Sequence, residues 1–127
     1  PDIRETNFAG NQLPWSPKWS VTVTGEHSWY IDNGLRLSPV ATVHWQDEIF
    51  FQDNNFDEGP FHSGQEAYLT INASIRLINE QQRWGLELYV YNLTDERTRY
   101  WADYGPGYIK TSFAPPRAYG VKLRYDF

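Results

Sequence analysis

R-A-Y-G-V-K-L-R-Y-D-F, Arg117 to Phe127, closes the chain and decides how the rest is read. Side chains alternate across an extended strand, so Tyr119, Val121, Leu123, Tyr125 and Phe127 share one face. Gly120, Lys122, Arg124 and Asp126 share the other. The final residues of a soluble domain usually fray into water. Here Phe127 belongs to the apolar row, which predicts that the end of the chain is part of a sheet.

The same alternation recurs upstream. Trp19, Val21, Val23, His27, Trp29 and Ile31 oppose Ser20, Thr22, Thr24, Glu26, Ser28 and Tyr30. Asp32-Asn33-Gly34 then signals a tight hairpin. Leu35, Leu37, Ala41, Val43 and Trp45 form the next apolar row, interrupted at Pro39, where a bulge or a lost ladder bond is expected. Residues 47–64 read as a loop rich in Asp, Asn and Gly, with Phe50, Phe51, Phe56 and Phe61 set among them. Ala67, Leu69, Ile71, Ala73, Ile75 and Leu77 give the cleanest row, and Trp84, Leu86, Leu88 and Val90 another. Residues 79–82 and 92–95 are polar turns; a short strand over 97–104 leads through a Gly/Pro loop, 105–116, to the terminal strand. The fold predicted is all-β: an antiparallel up-and-down meander of about six strands over 17–127, after an irregular lead-in over 1–16.

With 127 residues the chain is at most one domain. No run approaches the ~18 apolar residues of a membrane helix, but membrane strands alternate and their hydropathy looks soluble, as the mean of −0.66 does here. Cysteine is absent, which removes disulfides and thiolate metal sites. A net charge of −5 argues against a nucleic-acid footprint. The chain starts on Pro1 and contains no Met, and reads as a piece of a longer protein.

Alternation does not say which way the apolar rows point. A soluble barrel or sandwich that binds a small ligand puts them inside; a transmembrane barrel turns them to lipid. Three features favour lipid. The polar rows are rich in Thr, Ser, Asn and Tyr and lightly charged. Trp19, Trp29, Tyr30, Trp45, Trp84, Tyr100 and Trp101 collect near predicted strand ends, as interfacial girdles do. Six strands are also too few for a closed barrel, which needs about eight.

Four stretches together resemble the carboxy-terminal part of TonB-dependent outer-membrane receptors. They are L-P-W-S-P-K-W-S-V, E-A-Y-L-T-I-N-A-S-I-R-L, Y-V-Y-N-L-T-D-E-R and P-P-R-A-Y-G-V-K-L-R-Y-D-F, covering the chain from about Phe8 onward. The resemblance implies the last strands of a large plugged transmembrane barrel in the bacterial outer membrane. Its parent would take up a scarce ligand: siderophore-bound iron, cobalamin or a carbohydrate. The plug domain, and with it contact to TonB, is absent from these residues. The remaining partners implied are outer-membrane lipid, a small-molecule ligand and the barrel-assembly machinery. Tyr119, Val121, Leu123, Tyr125 and Phe127 match the assembly signal of the class; they also suit plain lipid-facing positions. Trp101, Tyr104 and Tyr108 are the candidate ligand contacts, against the reading that they pack a loop or girdle. With the last strand ending in the periplasm, Asn92–Glu96 becomes periplasmic, and Asp32–Gly34, Asn79–Gln82 and Gly105–Pro116 extracellular. That parity puts the long 47–64 loop in the periplasm, where connections are normally short, so either the segment carries irregular strand extensions or the strand count there is off by one.

No enzyme is read here: no nucleophile motif, phosphate loop or defined carboxylate pair occurs, and no cofactor is implied. His44 and Glu48 share a face, but a metal site needs three or four convergent ligands. Asp47, Glu48, Asp53, Asp57 and Glu58 lack the spacing of a calcium loop. The isolated piece is expected to oligomerise through its open strand edges.

Overall fold

A computed structural model describes residues 7–58, 61–105 and 107–127, with the backbone alone for 58, 61, 104 and 105. In chain order the strands are β1 (Ser20–Glu26), β2 (Trp29–Ile31), β3 (Leu35–Gln46), β4 (Ile49–Phe50), β5 (Asp57–Glu58), β6 (Phe61–His62), β7 (Gly64–Gln65), β8 (Tyr68–Asn79), β9 (Trp84–Tyr91), β10 (Arg99–Gly105), β11 (Tyr108–Phe113) and β12 (Ala118–Tyr125). One large antiparallel sheet runs β1-β3-β8-β9-β12, with β2 beside β1 on the same flank of β3. The predicted all-β meander is what forms, and it is an open sheet.

Local chemistry explains the joints. Asn33 (φ 68°) and Gly34 (φ 72°) take the left-handed conformations that turn β2 into β3. β1 ends at Glu26 opposite Val40 and β2 resumes at Trp29 opposite Leu37, in unbroken register. The gap falls opposite Pro39, which has no N–H to give, and its carbonyl accepts from His27 N (3.3 Å). The lost ladder bond, not a bulge, is the outcome. Ser28 and Ser38 hydroxyls close the gap at 2.7 Å.

Near its end the chain departs from the expected strand order. β9 pairs directly with β12, Tyr91 opposite Ala118 through Trp84 opposite Tyr125. Residues 97–104 are therefore not a neighbour of β9 in the sheet. They supply β10, a strand as expected, which forms a separate two-stranded ribbon with β11, a strand inside the segment 105–116 expected to be a loop. Removing one strand from the count reverses the parity. Asn92–Glu96 and the 47–64 segment now lie at the end of the sheet remote from Phe127. The Asp32–Gly34 and Asn79–Gln82 turns lie at the Phe127 end, where Glu80 N donates to Gly34 O (3.4 Å) and Asp126 N to Arg83 O (2.9 Å). Both long excursions thus share one end and both short turns the other.

The register sets every apolar row on one face: Val23 beside Val43 beside Ile71, and Ile75 beside Leu88 beside Val121. Among the described residues nothing covers that face. Leu69 is 39% exposed, Ile75 49%, Val121 60% and Leu123 82%. Among the described residues the buried apolar side chains are Ile49, Phe50, Phe51 and Ala102, all in the excursions and none in the large sheet. The accessible surface is 9651 Å², against roughly 7,000 Å² from the scaling for a compact monomer of this mass. A soluble closed barrel or sandwich, the alternative reading, would seal these rows; they are open.

Candidate functional site

The remote end of the sheet carries a small layer of its own, built from three segments. In the lead-in, Trp15 N donates to Phe50 O (2.8 Å), and Gln12 and Asn55 exchange amide bonds at 2.6 and 2.9 Å. Next to it lie two nested ribbons, β4 on β7 and β5 on β6. Against them lies the β10–β11 hairpin, which buries Ala102 beside Ile49 and Phe51. Trp15 stacks on Phe51 at 4.7 Å and meets Tyr100 edge-on at 6.5 Å. Sequence reasoning found the four phenylalanines of this segment but not their partners, because no periodicity links Trp15, Phe51 and Ala102 across the chain.

The hairpin holds the predicted ligand contacts. Trp101 pairs with Ser112, Asp103 with Lys110 and Gly105 with Tyr108, so Trp101 and Tyr108 share the face opposite Ala102. Both are exposed, at 41% and 46%, and the Lys110 ammonium sits 5.2 Å from the centre of the Tyr108 ring. Tyr104 lies on β10 opposite Ile109, and its side chain is outside the described residues. Trp101 and Tyr100 belong to this hairpin rather than to a girdle on the sheet.

The hairpin is mounted at a densely bonded neck. Asn92 (φ 52°) accepts from Glu96 N (3.0 Å) and donates to Glu96 O (3.0 Å) and Pro115 O (3.4 Å). Its own N–H reaches Asn72 Oδ1 on β8 (2.9 Å). Leu93 N and Thr94 Oγ1 donate to Ile71 O (2.7 Å) and Leu69 O (3.1 Å). Asp95 accepts from Arg117 N at 3.1 Å and pairs with its guanidinium at 3.8 Å. Asn-Leu-Thr-Asp was legible as a turn; that it staples the excursion to β8 was not.

The polar face of the sheet divides along its length. Near the excursions it carries Thr22 and His44 (2.8 Å), Thr24 and Thr42 (3.0 Å), and Tyr68, Tyr89 and Tyr91. Gly120 leaves room for Tyr89 opposite it: a Cβ there would stand 2.5 Å from the Tyr89 hydroxyl, so the ring would have to shift. Near the turns lies a furrow of about 540 Å³ lined by Arg36, Arg76, Glu87, Lys122, Arg124 and Asp126. Its charges are largely paired: Arg76 reaches across β3 to Glu26 (2.6 Å), Lys122 to Glu87 (3.4 Å) and Arg124 to Asp126 (3.0 Å).

The apolar face ends in aromatic residues at both extremities. Trp19 and Trp45 stand at the excursion end, and Trp29, Trp84 and Tyr125 at the turn end. Eight residue steps separate Trp45 from Leu37, the partner of Trp29. At ~3.4 Å per residue and a tilt of ~40° that is a height of ~21 Å, comparable with the ~25 Å apolar band of a membrane barrel. The terminal row projects from the same face, with Tyr119 82% exposed and Phe127 meeting Tyr125 edge-on at 5.1 Å beyond the last ladder pair. Among the described residues no group of three or more His, Cys, Asp or Glu converges. His62 engages Asp57 (3.1 Å), and His27 lies against Trp29.

No family model and no curated protein matches the sequence. The fold does have a solved counterpart, the ferric yersiniabactin uptake receptor FyuA from Yersinia pestis, a TonB-dependent receptor. The match covers 94% of this chain at a TM-score of 0.80 and 22% sequence identity. The likeness is one of fold: an antiparallel stretch of β-barrel wall. The chain spans 18% of the length of that receptor chain, so an open sheet is what a stretch of such a wall looks like alone.

Proposed function

We propose that this chain supplies the last strands of an outer-membrane barrel that takes up a scarce small molecule through TonB. The observation that carries this is the uncovered apolar face, banded by aromatic residues at both ends. Lipid is the solvent that such a face fits. The corrected parity adds support. With β12 ending in the periplasm, the short turns at 32–34 and 80–83 become periplasmic and the excursions at 47–67 and 92–117 extracellular, which is the usual proportion. On this reading the polar face looks into the lumen. Energy coupling belongs to a plug domain outside these residues.

Trp101 and Tyr108 present flat faces at the outer end, where a chelate or ring-bearing ligand arrives. Tyr119, Val121, Leu123, Tyr125 and Phe127 form an apolar row on a strand with a free edge, which another sheet edge could capture during assembly. Taken out of its wall, the chain has unpaired edges at β1 and β12 and should associate through them. The test is to delete the full-length gene and measure uptake of iron chelates, cobalamin and oligosaccharides, alongside fractionation of the protein. Outer-membrane residence and loss of one uptake activity are expected. Recovery in the soluble fraction would defeat the reading.

A further inference from the structure

We infer that the half of the polar face nearer the excursions is a subsite for a neutral, hydroxyl-rich ring ligand, an oligosaccharide and not an anionic iron chelate. This rests on the barrel reading above, in which that face lines the lumen and its excursion end meets the ligand first. The sorting of charge along the strands carries it. The strands of the large sheet hold six Asp, Glu, Lys or Arg residues: Glu26, Arg36, Arg76, Glu87, Lys122 and Arg124. All are on the polar face. Glu26 stands in the row of Val40, Ser74, Tyr89 and Gly120, and the other five lie nearer the short turns. From that row to the excursions, the polar face of the strands carries no fixed charge.

The cations of the sheet are already engaged. Arg36 lies 3.7 Å from Glu80, Arg76 2.6 Å from Glu26, Lys122 3.4 Å from Glu87 and Arg124 3.0 Å from Asp126. The 47–67 excursion is acidic and holds no Lys or Arg. An anion arriving along this arc meets none of the unengaged guanidinium or ammonium groups that hold anions.

What the uncharged half does offer suits a sugar. Tyr89 and Tyr91 lie 5.2 Å apart, and Tyr68 and His44 6.1 Å apart, between ring centres. Such rings give a flat apolar face to the C–H side of a sugar, while phenol hydroxyls at their edges give or take hydrogen bonds. Thr22 Oγ1 and His44 Nδ1 fix each other at 2.8 Å, and the Thr24 and Thr42 hydroxyls at 3.0 Å. Each hydroxyl keeps acceptor capacity, so the wall pairs aromatic area with a few oriented polar groups, as small-molecule sites do.

The test is calorimetric titration of the full-length protein in a detergent without a sugar head group. The probes are the neutral sugars maltohexaose, cellohexaose, xylohexaose and chitohexaose, with oligogalacturonate as an anionic sugar and ferric citrate as an anionic chelate. At least one neutral sugar should bind, oligogalacturonate more weakly, with an affinity that changes less than about twofold between ~50 mM and ~500 mM salt. Tyr68→Ala and Tyr91→Ala should each weaken that binding about tenfold, and Arg124→Gln, in the charged half, less than about twofold. Thr70, opposite His44, supplies a test of sign. A neutral ligand is weakened alike by Thr70→Asp and Thr70→Lys, whereas a charged one is weakened by one and strengthened by the other. Opposite effects of that pair, sugar binding indifferent to both tyrosine variants, or no binding of any neutral sugar would each overturn the inference. An outer-membrane protein that binds ferric citrate in place of the sugars fails this inference alone; a protein recovered in the soluble fraction fails the barrel reading as well.

Discussion

Ala73 sits at the midpoint of the apolar row from Leu69 to Leu77, flanked by Ala41 and Val90 on the same face. Four residue steps separate it from either end of that row, ~10 Å of height each way at a ~40° tilt. An arginine at that depth in a lipid-facing wall costs about 2–4 kcal/mol, and the cost falls to ~0–1 near the interfaces. On a wet surface the same exchange is worth within about 0.5 kcal/mol. Ala73→Arg therefore separates the two solvents by a factor of ~30 to ~700 in the folding equilibrium. The assay is denaturant unfolding of the full-length barrel in lipid vesicles, with Ser74→Arg on the polar face as the control. A loss of about 2–4 kcal/mol for Ala73→Arg with less than ~1 for Ser74→Arg is expected. Equal effects at the two neighbours would refute the assignment of faces, since adjacent strand residues differ only in the side to which they point.

Three further outcomes follow from local geometry. Gly120→Ala displaces the Tyr89 ring from under the Lys122 ammonium (4.7 Å) and should cost about 1–2 kcal/mol; in a Tyr89→Ala background the penalty should largely vanish, as a double-mutant unfolding cycle would show. Asn33→Val forces a β-branched residue to φ 68° and should lower stability by about 1–2 kcal/mol, whereas Asn33→Gly should be close to neutral in the same denaturant titration. The Arg76–Glu26 pair is part-exposed, so its coupling energy should be about 0.2–1 kcal/mol and shrink at 1 M salt.

Strong alternation made most of the sheet readable. β8 and β9 appear within a residue or two of where Ala67–Leu77 and Trp84–Val90 put them, and Asn33-Gly34 turns as its chemistry demands. What alternation does not encode is which strand lies beside which. The 97–104 stretch was strand-like and became a strand, yet it paired with β11, because Tyr91 meets Ala118 and leaves no room between β9 and β12. Tyr108–Phe113 went unread because it follows Gly105-Pro106-Gly107 and carries no alternating apolar row. A signal was available: a long connection on the side where turns are short marks a strand count that is off by one. The layer at the excursion end of the sheet stayed hidden for a different reason. Trp15, Phe51 and Ala102 are joined only by long-range packing, and none of them belongs to an alternating row.

The proposal that the apolar row faces lipid can be tested residue by residue. Single cysteines at 69–76 of the full-length protein, each spin-labelled in vesicles, report collision with oxygen, which partitions into lipid, and with a water-soluble nickel chelate. Labels at 69, 71, 73 and 75 should meet oxygen, those at 70, 72, 74 and 76 should not, and the chelate should show the opposite period of two. Odd-numbered labels shielded from both reagents would mean that protein covers that face, and the membrane-wall account would be wrong.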